Sequence, residues 1–377
     1  MLIVFLICFS LLVYPFLGYP VVLWVLSLLV RKSAQKHDIC PTVSIIISAY
    51  NEQSTIAEKM QNTLDLDYPK EKLQVIVASE STDKTNEIVN SYQLQRILLF
   101  AYEGREGKAA TLYKTVPHAN GEIVVFSDTN AMYEKDAIKK LVRNFSDERI
   151  GCVSGQLKYS NPDNTSVGSG EGFYWRHETG IKKLESRLHS LLGANGSIFA
   201  IRRDLYLPMT RDRGDDFELP IRIAINGYGV ILEPEAVSWE KASKTTRDEL
   251  RRKVRIIAWN MKSCLMLLRE CFQKRKVLLV FQLISHKLLR WLFPVFATGL
   301  LITNIFLSGV FFRILLVLQT VFYAAAGIGC ILDVSRNTVP KLLLVPYYFC
   351  LMHYAAIAGV CRLMCGKQKS VWKKVRD

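Results

Sequence analysis

Hydrophobic positions in this chain fall into two rhythms. At both ends they run on without interruption. No charged residue precedes Arg31, and residues 291–312, 314–332 and 342–361 are also uncharged. Each run is about the 20 residues that a helix needs to cross a bilayer. The first predicts an uncleaved membrane helix over 1–31. A signal peptide fits less well, because the run is too long and lacks a charged start and a small-residue cleavage site. Pro15 and Pro20 are positions where this helix would kink. The other runs predict three transmembrane segments within 292–364, with buried core helices as the alternative.

Between about 41 and 260 the rhythm changes. Residues 43–50, 73–78, 96–101 and 122–126 are apolar runs of strand length. Residues 54–66, 81–92 and 108–116 carry helix-like patterns between them. This alternation predicts an α/β domain, with a Rossmann-like, mostly parallel sheet and helices on both faces. The chain holds no internal repeat and no low-complexity tract.

Charge refines this picture. Lys and Arg number 49 against 34 Asp and Glu, a net +15, and mean hydropathy is +0.15. The basic residues crowd beside the apolar runs: Arg31, Lys32 and Lys36, then Lys274 to Lys276, Lys287 and Arg290. Five more fall in the tail, 365–377. That placement predicts contact with anionic lipid head groups rather than nucleic acid. It also places residue 31 onward in the cytoplasm of an integral membrane protein. Residues 275–291 fit an interfacial amphipathic helix, and 180–192 either a second one or plain core. One helix before the domain and three after it would put the tail outside, whereas its charge argues for inside. The nine cysteines have no paired metal spacing and read as small hydrophobes, not a disulfide framework.

Candidate chemistry lies at the strand ends. Strand one is followed by Ala49-Tyr50-Asn51-Glu52, strand two by Ser79-Glu80-Ser81-Thr82-Asp83. Strand three is followed by Gly104-Arg105-Glu106-Gly107-Lys108, strand four by Asp128-Thr129-Asn130. All four belong to the carboxyl edge of one sheet, where open α/β sheets hold ligands. Asp128 and Asn130 offer hard oxygen donors of the kind Mg2+ or Mn2+ requires. Taken singly, each cluster also suits a turn or a helix cap. Trp175, Trp239 and Trp259 could form a sugar platform or pack in the core.

In this order the clusters resemble the inverting family 2 glycosyltransferases of GT-A fold. They are most similar to the membrane-integrated relatives of cellulose, hyaluronan and poly-N-acetylglucosamine synthases. Gly193-Ala-Asn195-Gly196, Gly214-Asp215-Asp216-Phe217 and Arg252-x-x-Arg255 in the second half resemble the acceptor segment, the acidic base motif and the Gln-x-x-Arg-Trp motif. The resemblance implies that Tyr50, Glu52 and Glu80 border the nucleoside. Lys108 would meet the base or diphosphate, and Asp128 and Asn130 the metal. Asn195 and Gly196 would face the acceptor. Asp216, with Asp215 beside it, would take the proton, and Arg255 would neutralise the leaving diphosphate. Three motifs depart from the family pattern. Glu80 stands where an Asp is usual, Asn130 replaces a second Asp, and Arg252 and Ile256 replace the Gln and the Trp, the residue that stacks on a growing glycan. The expected activity is transfer of a sugar, a hexose or an N-acetylhexosamine, from a UDP-linked donor to a lipid-linked or polysaccharide acceptor. The alternatives are a polyprenyl-phosphate glycosyltransferase and a non-catalytic membrane scaffold.

Overall fold

The sequence Val43–Ala49 is almost wholly apolar and β-branched, and it forms a strand buried on both faces. It is β1 in a computed structural model that describes residues 1–30, 34–160, 166–208, 214–241, 245–335 and 339–365. Side chains are described for all of these except 95 and 166–175. β2 (Leu73–Ser79), β3 (Ile97–Ala101) and β4 (Ile123–Asp128) join β1 as parallel neighbours in the order β3-β2-β1-β4.

The sheet then changes character. β5 (Met132–Tyr133), β6 (Ile150–Tyr159), β7 (Ile198–Arg202) and β8 (Gly229–Glu240) extend it in the order β4-β7-β6-β8-β5. β7 runs antiparallel to both β4 and β6, β8 parallel to β6, and β5 antiparallel to β8. The sheet is therefore mixed, and its parallel half is the part that the alternating pattern predicts.

Side chains alternate across β1, so Ile45 and Ile47 pack on one face and Ile46 on the other. On the first face they meet Met60 of α2 (Ile56–Leu64) and, beyond a short α3 (Thr85–Asn90), Ile138 and Leu141 of α5 (Ala137–Val142). The second face is covered by Leu112 of α4 (Lys108–Thr115), and by Leu219 and Ile223 of α7 (Asp215–Ile225). Two buried faces fix the register of the strands, and so fix where their ends emerge.

The N-terminal run is one helix, α1 (Leu2–Leu29), with a wider turn over Tyr14–Gly18. Pro15 lies in that turn, where its missing N–H breaks the helical ladder. Tyr19 and Leu23 of α1 pack on Ile181 and Leu188 at the end of α6 (Ser166–Arg187). The residues 180–192 thus serve as core against α1. After α8 (Thr246–Gln273) come α9 (Val277–Trp291) and α10 (Phe293–Ile305), bent by 59° at their junction. α11 (Val310–Val334) and α12 (Lys341–Met364) follow.

Within the uncharged run 291–312, α10 has 13 residues, about 20 Å of rise against the roughly 30 Å of a bilayer core; α9 and α10 taken together are long and apolar enough to form one bent span. The cations of α9 have a partner within the protein. Lys287 and Arg290 point inward onto Glu178, because a buried carboxylate 109 and 112 residues away in sequence needs their charge. Among the described residues, three helices are long and apolar enough to cross a membrane: α1, α11 and α12. The basic tail from 366 lies outside the described residues.

Candidate active site

The strand ends come out level. Ser48 pairs with Asp128, Ala49 with Ser79 and Ser79 with Ala101. Tyr50, Glu80 and Asp128 therefore emerge at one edge of the sheet. They open into a cavity of about 1110 Å³. Tyr50, Glu52, Glu80, Lys108, Asp128, Asn130, Asn195, Gly196, Asp215, Asp216 and Arg255 all line it.

On the donor side, neighbouring clusters hold one another. The Asn51 backbone, at φ 54°, donates to Ser81 Oγ at 2.9 Å, and its side-chain oxygen accepts from the Thr82 N–H at 2.8 Å. Glu52 Oε2 accepts from the Thr55 hydroxyl at 2.8 Å. Glu80 is buried, and its two oxygens accept from the N–H groups of Glu106 and Gly107 at 3.0 and 2.9 Å. Its longer reach, compared with Asp, ties the third cluster to the second. Gly104 and Gly107 provide the positive φ values, 89° and 94°, at which that loop turns. The loop then lays the Arg105 guanidinium over the Tyr50 ring, 4.4 Å from its centroid.

Lys108 begins α4 and stands at the centre of the charge. Its ammonium lies 2.9 Å from Asp128 Oδ1 and 3.1 Å from Asp215 Oδ2. Burial opposes its charge, but Asp128, Asp215 and Asp216 outweigh burial and hold Lys108 above its ordinary range. Asn130 Nδ2 donates to Glu240 Oε2 at 3.4 Å. Below this edge the buried Lys59 donates to the Ala131 carbonyl and lies 3.9 Å from the Tyr133 ring centroid. Burial pushes Lys59 down to about 7, against the pull of Asp128 and Glu240.

The acceptor segment and the acidic pair are stitched together. Ala194 N–H donates to the Asp216 carbonyl at 2.7 Å. A Cβ on Gly196 would come within 2.9 Å of Asp216 Oδ2, so only glycine lets this segment lie against that carboxylate. The Asn195 side chain is committed elsewhere. Its amide N–H donates to Gly155, and its oxygen accepts from Lys182 Nζ at 2.7 Å. Asp216 is pushed up to about 6, by burial first and the Asp215 charge second, with Lys108 opposing. A carboxylate so placed accepts a proton near neutral pH, as a general base must.

Arg255 lines the same cavity from α8, with its guanidinium 5.5 Å from the Trp259 ring centroid. Burial and Arg252 lower it to about 10 while Asp128 pulls the other way, so it stays charged at neutral pH. Trp239 also lines the cavity, with Lys158 Nζ 5.2 Å from its ring centroid, and Trp259 lines it beside Arg255. The Trp175 side chain lies outside the described residues.

Several lining groups escape sequence reasoning. Glu240, Lys182, Glu178, His286, Lys287 and Arg290 line the cavity, as do Tyr348, Phe349, Met352 and His353 of α12. Glu240 had one usable signal, its place at the end of a strand. The others are gathered only by tertiary packing.

Comparison with known proteins agrees with this geometry. The family model "Glycosyl transferase family 2" matches residues 44–207. "Probable glycosyltransferase YdaM" of Bacillus subtilis is 25% identical over 324 residues, 80% of this chain and 76% of its own length. A poly-beta-1,6-N-acetyl-D-glucosamine synthase of Staphylococcus aureus is 23% identical over 241 residues, 62% of this chain; the match spans 57% of that synthase. Among solved structures, a mannosyltransferase from Pyrobaculum calidifontis, in complex with GDP-Man and Mn2+, is 22% identical. It superposes with a TM-score of 0.72 over 97% of this chain and 99% of its own. Residues 44–207 thus match a glycosyl transferase family 2 domain, and the chain has a GT-A-type fold.

Proposed function

We propose that the protein transfers a sugar with inversion from a nucleoside diphosphate donor to an acceptor presented at a membrane, in cell-surface polysaccharide synthesis. The observation that carries this reading is one continuous cavity. Donor-side groups (Tyr50, Lys108, Asp128) and acceptor-side groups (Gly196, Asp216) meet in it around a single centre of charge. Its volume exceeds the upper end of the few hundred to about 1,000 Å³ usual for one ligand, which suits two substrates.

In this reading Tyr50 and Arg105 hold the nucleoside, while Lys108 and Arg255 hold its diphosphate. Asp216 takes the proton of the acceptor hydroxyl as its oxygen bonds to the anomeric carbon. The bond from that carbon to the diphosphate breaks, and Lys108 and Arg255 stabilise the charge that develops on the leaving oxygen.

Mg2+ or Mn2+ fits at Asp128 and Asn130. The ammonium of Lys108, within 3.1 Å of both Asp128 and Asp215, supports the reading that positive charge is favoured beside Asp128. The described residues offer no cluster of three metal-ligating side chains. The ion would then complete its shell on donor phosphates, as Mg2+ commonly does. When bound, it would neutralise charge on the diphosphate.

The membrane setting rests on α1, α11 and α12. We read α9 and α10 as a bent pair that stays on the side of the catalytic domain, which leaves two spans after it. The tail would then return to the side of that domain, the cytoplasm, as its basic charge favours. The donor is taken to be UDP-linked. A thermal-shift panel of UDP- and GDP-sugars with Mn2+, coupled to release of nucleoside diphosphate, tests the reading. Stabilisation by one nucleotide sugar and metal-dependent release are expected. Absence of both would overturn the proposal in favour of a non-catalytic scaffold.

A further inference from the structure

The middle of α1 is built into the domain by polar contacts that a simple anchor does not need. Pro20 has no N–H to give to the Phe16 carbonyl one turn back. His177 of α6 takes up that oxygen, with Nε2 3.1 Å from it. The Tyr14 hydroxyl lies 2.9 Å from Ser285 Oγ of α9. Tyr19 is fully buried, and its hydroxyl donates to Glu185 Oε1 at 2.6 Å. A hydroxyl turned into an apolar interior needs such a partner.

Glu185 is itself fully buried, in the last turn of α6. Its Oε1 also lies 2.7 Å from His286 Nδ1 of α9, so two other helices meet on one oxygen. Its Oε2 accepts from the Leu192 N–H at 3.1 Å. Leu192 can return to it because the chain reverses after α6 at His189, φ 55°, where the Ser190 N–H bonds the Glu185 carbonyl. Burial opposes the charge of Glu185, but His286, Lys287 and the Tyr19 hydroxyl hold it below the usual carboxylate range. Its bonds are thus made to a charged acceptor, the stronger kind. From Leu192 the backbone soon reaches Asp216. Gly193 turns it at φ 90°, and the Ala194 N–H donates to the Asp216 carbonyl at 2.7 Å. Gly196 then lies against the Asp216 carboxylate. Lys182, three residues before Glu185 on α6, holds the far end of the segment through Asn195 Oδ1 at 2.7 Å.

We propose that Glu185 is a positioning residue, which joins the membrane helix α1 to the acceptor-side segment and so sets where Asp216 stands. The path runs from the Tyr19 hydroxyl through the Glu185 carboxylate to Leu192, and through Ala194 to Asp216. Glu185 acts through this backbone, not by contact with a substrate. A reacting group must be held to about 0.5 Å of its productive place, so a shift at the far end of the path slows transfer. The seat of α1 is then part of the catalytic geometry. The effect on transfer rests on the reading of Asp216 as the base given above; the mechanical coupling does not.

Hydrogen exchange of the full chain in detergent reads the coupling. Release of nucleoside diphosphate by isolated membranes, above membranes lacking the protein, reads its effect on transfer. The donor is the nucleotide sugar that stabilises the wild-type protein. Tyr19→Phe keeps the ring and its packing and deletes one bond. Glu185→Gln keeps the shape and leaves one acceptor oxygen in place of two. In both, the amides of residues 191–197 should exchange about tenfold faster. In both, kcat should fall about tenfold, with donor KM and UDP affinity unchanged. Tyr14→Phe deletes a hydroxyl contact of the same helix that does not lead to the segment, and should change neither. Unchanged exchange in both Tyr19→Phe and Glu185→Gln would overturn the proposal. So would faster exchange with unchanged kcat, which would leave Glu185 a purely structural residue. An equal loss in Tyr14→Phe would also overturn it, by making α1 a general support of the domain. If the wild-type protein neither binds UDP with Mn2+ nor releases nucleoside diphosphate, the function proposed above falls, while the exchange result still decides the coupling.

Discussion

The ammonium of Lys108 lies 2.9 Å from Asp128 Oδ1, on the carboxylate that the strand-end motif assigns to a metal. One group cannot serve both cations fully. Without donor, Lys108 neutralises Asp128; with donor, the phosphates offer the lysine another partner. Lys108→Gln is therefore expected to tighten Mn2+ binding to the free protein and to weaken nucleotide-sugar binding. Titration calorimetry of both ligands checks this, and a change of the same sign in both would contradict it.

Glu80 is expected to act through the loop that it holds. Glu80→Gln turns an acceptor oxygen into a donor facing an N–H, a loss of about 1–3 kcal/mol for a buried group. We expect a lower Tm and weaker donor binding, with turnover at saturating donor largely kept. A variant with unchanged Tm but altered choice of nucleotide would instead place Glu80 in contact with the base.

Arg255 and Arg251 share a helix but not a role. Arg255 lines the cavity, whereas Arg251 is exposed and lies 3.7 Å from Asp248. Arg255→Lys should lower kcat by about one to two orders of magnitude, as loss of a forked phosphate contact implies. Arg251→Lys should leave it near wild type. Equal small effects at both positions would reduce Arg255 to a surface charge.

The parallel half of the sheet and its four strand-end clusters were legible in the sequence because both obey local rules. Apolar runs of strand length become buried strands, and their ends carry the polar groups. The mixed half was less legible, since nothing local tells β6 that its partners are β7 and β8. The inward turn of Lys287 and Arg290 was hidden for the same reason. Beside an apolar run, such residues look like lipid contacts until Glu178 is brought to them. Asn195 was placed at the cavity but not understood, because its amide is used by Gly155 and Lys182.

The activity should also carry the signature of a raised carboxylate. Asp216 works as a base only when ionised, and the ionised fraction falls as pH drops through its pKa. With that value near 6 instead of the model-peptide value of about 3.9, the acid limb of kcat/KM, which reports the free protein, should fall near pH 6. A profile flat down to pH 5 would mean that another group takes the proton.

Asp216→Asn tests the central claim most directly. It keeps the shape of the side chain against Gly196 and leaves the backbone bond to Ala194 in place. Nucleotide-sugar binding with Mn2+ and the sugar-transfer rate would be measured on the same preparation. The account predicts unchanged donor affinity and transfer reduced about 10²- to 10⁴-fold, the usual contribution of a general base. Transfer near the wild-type rate would contradict it and return Asp216 to the role of a helix-terminal acid.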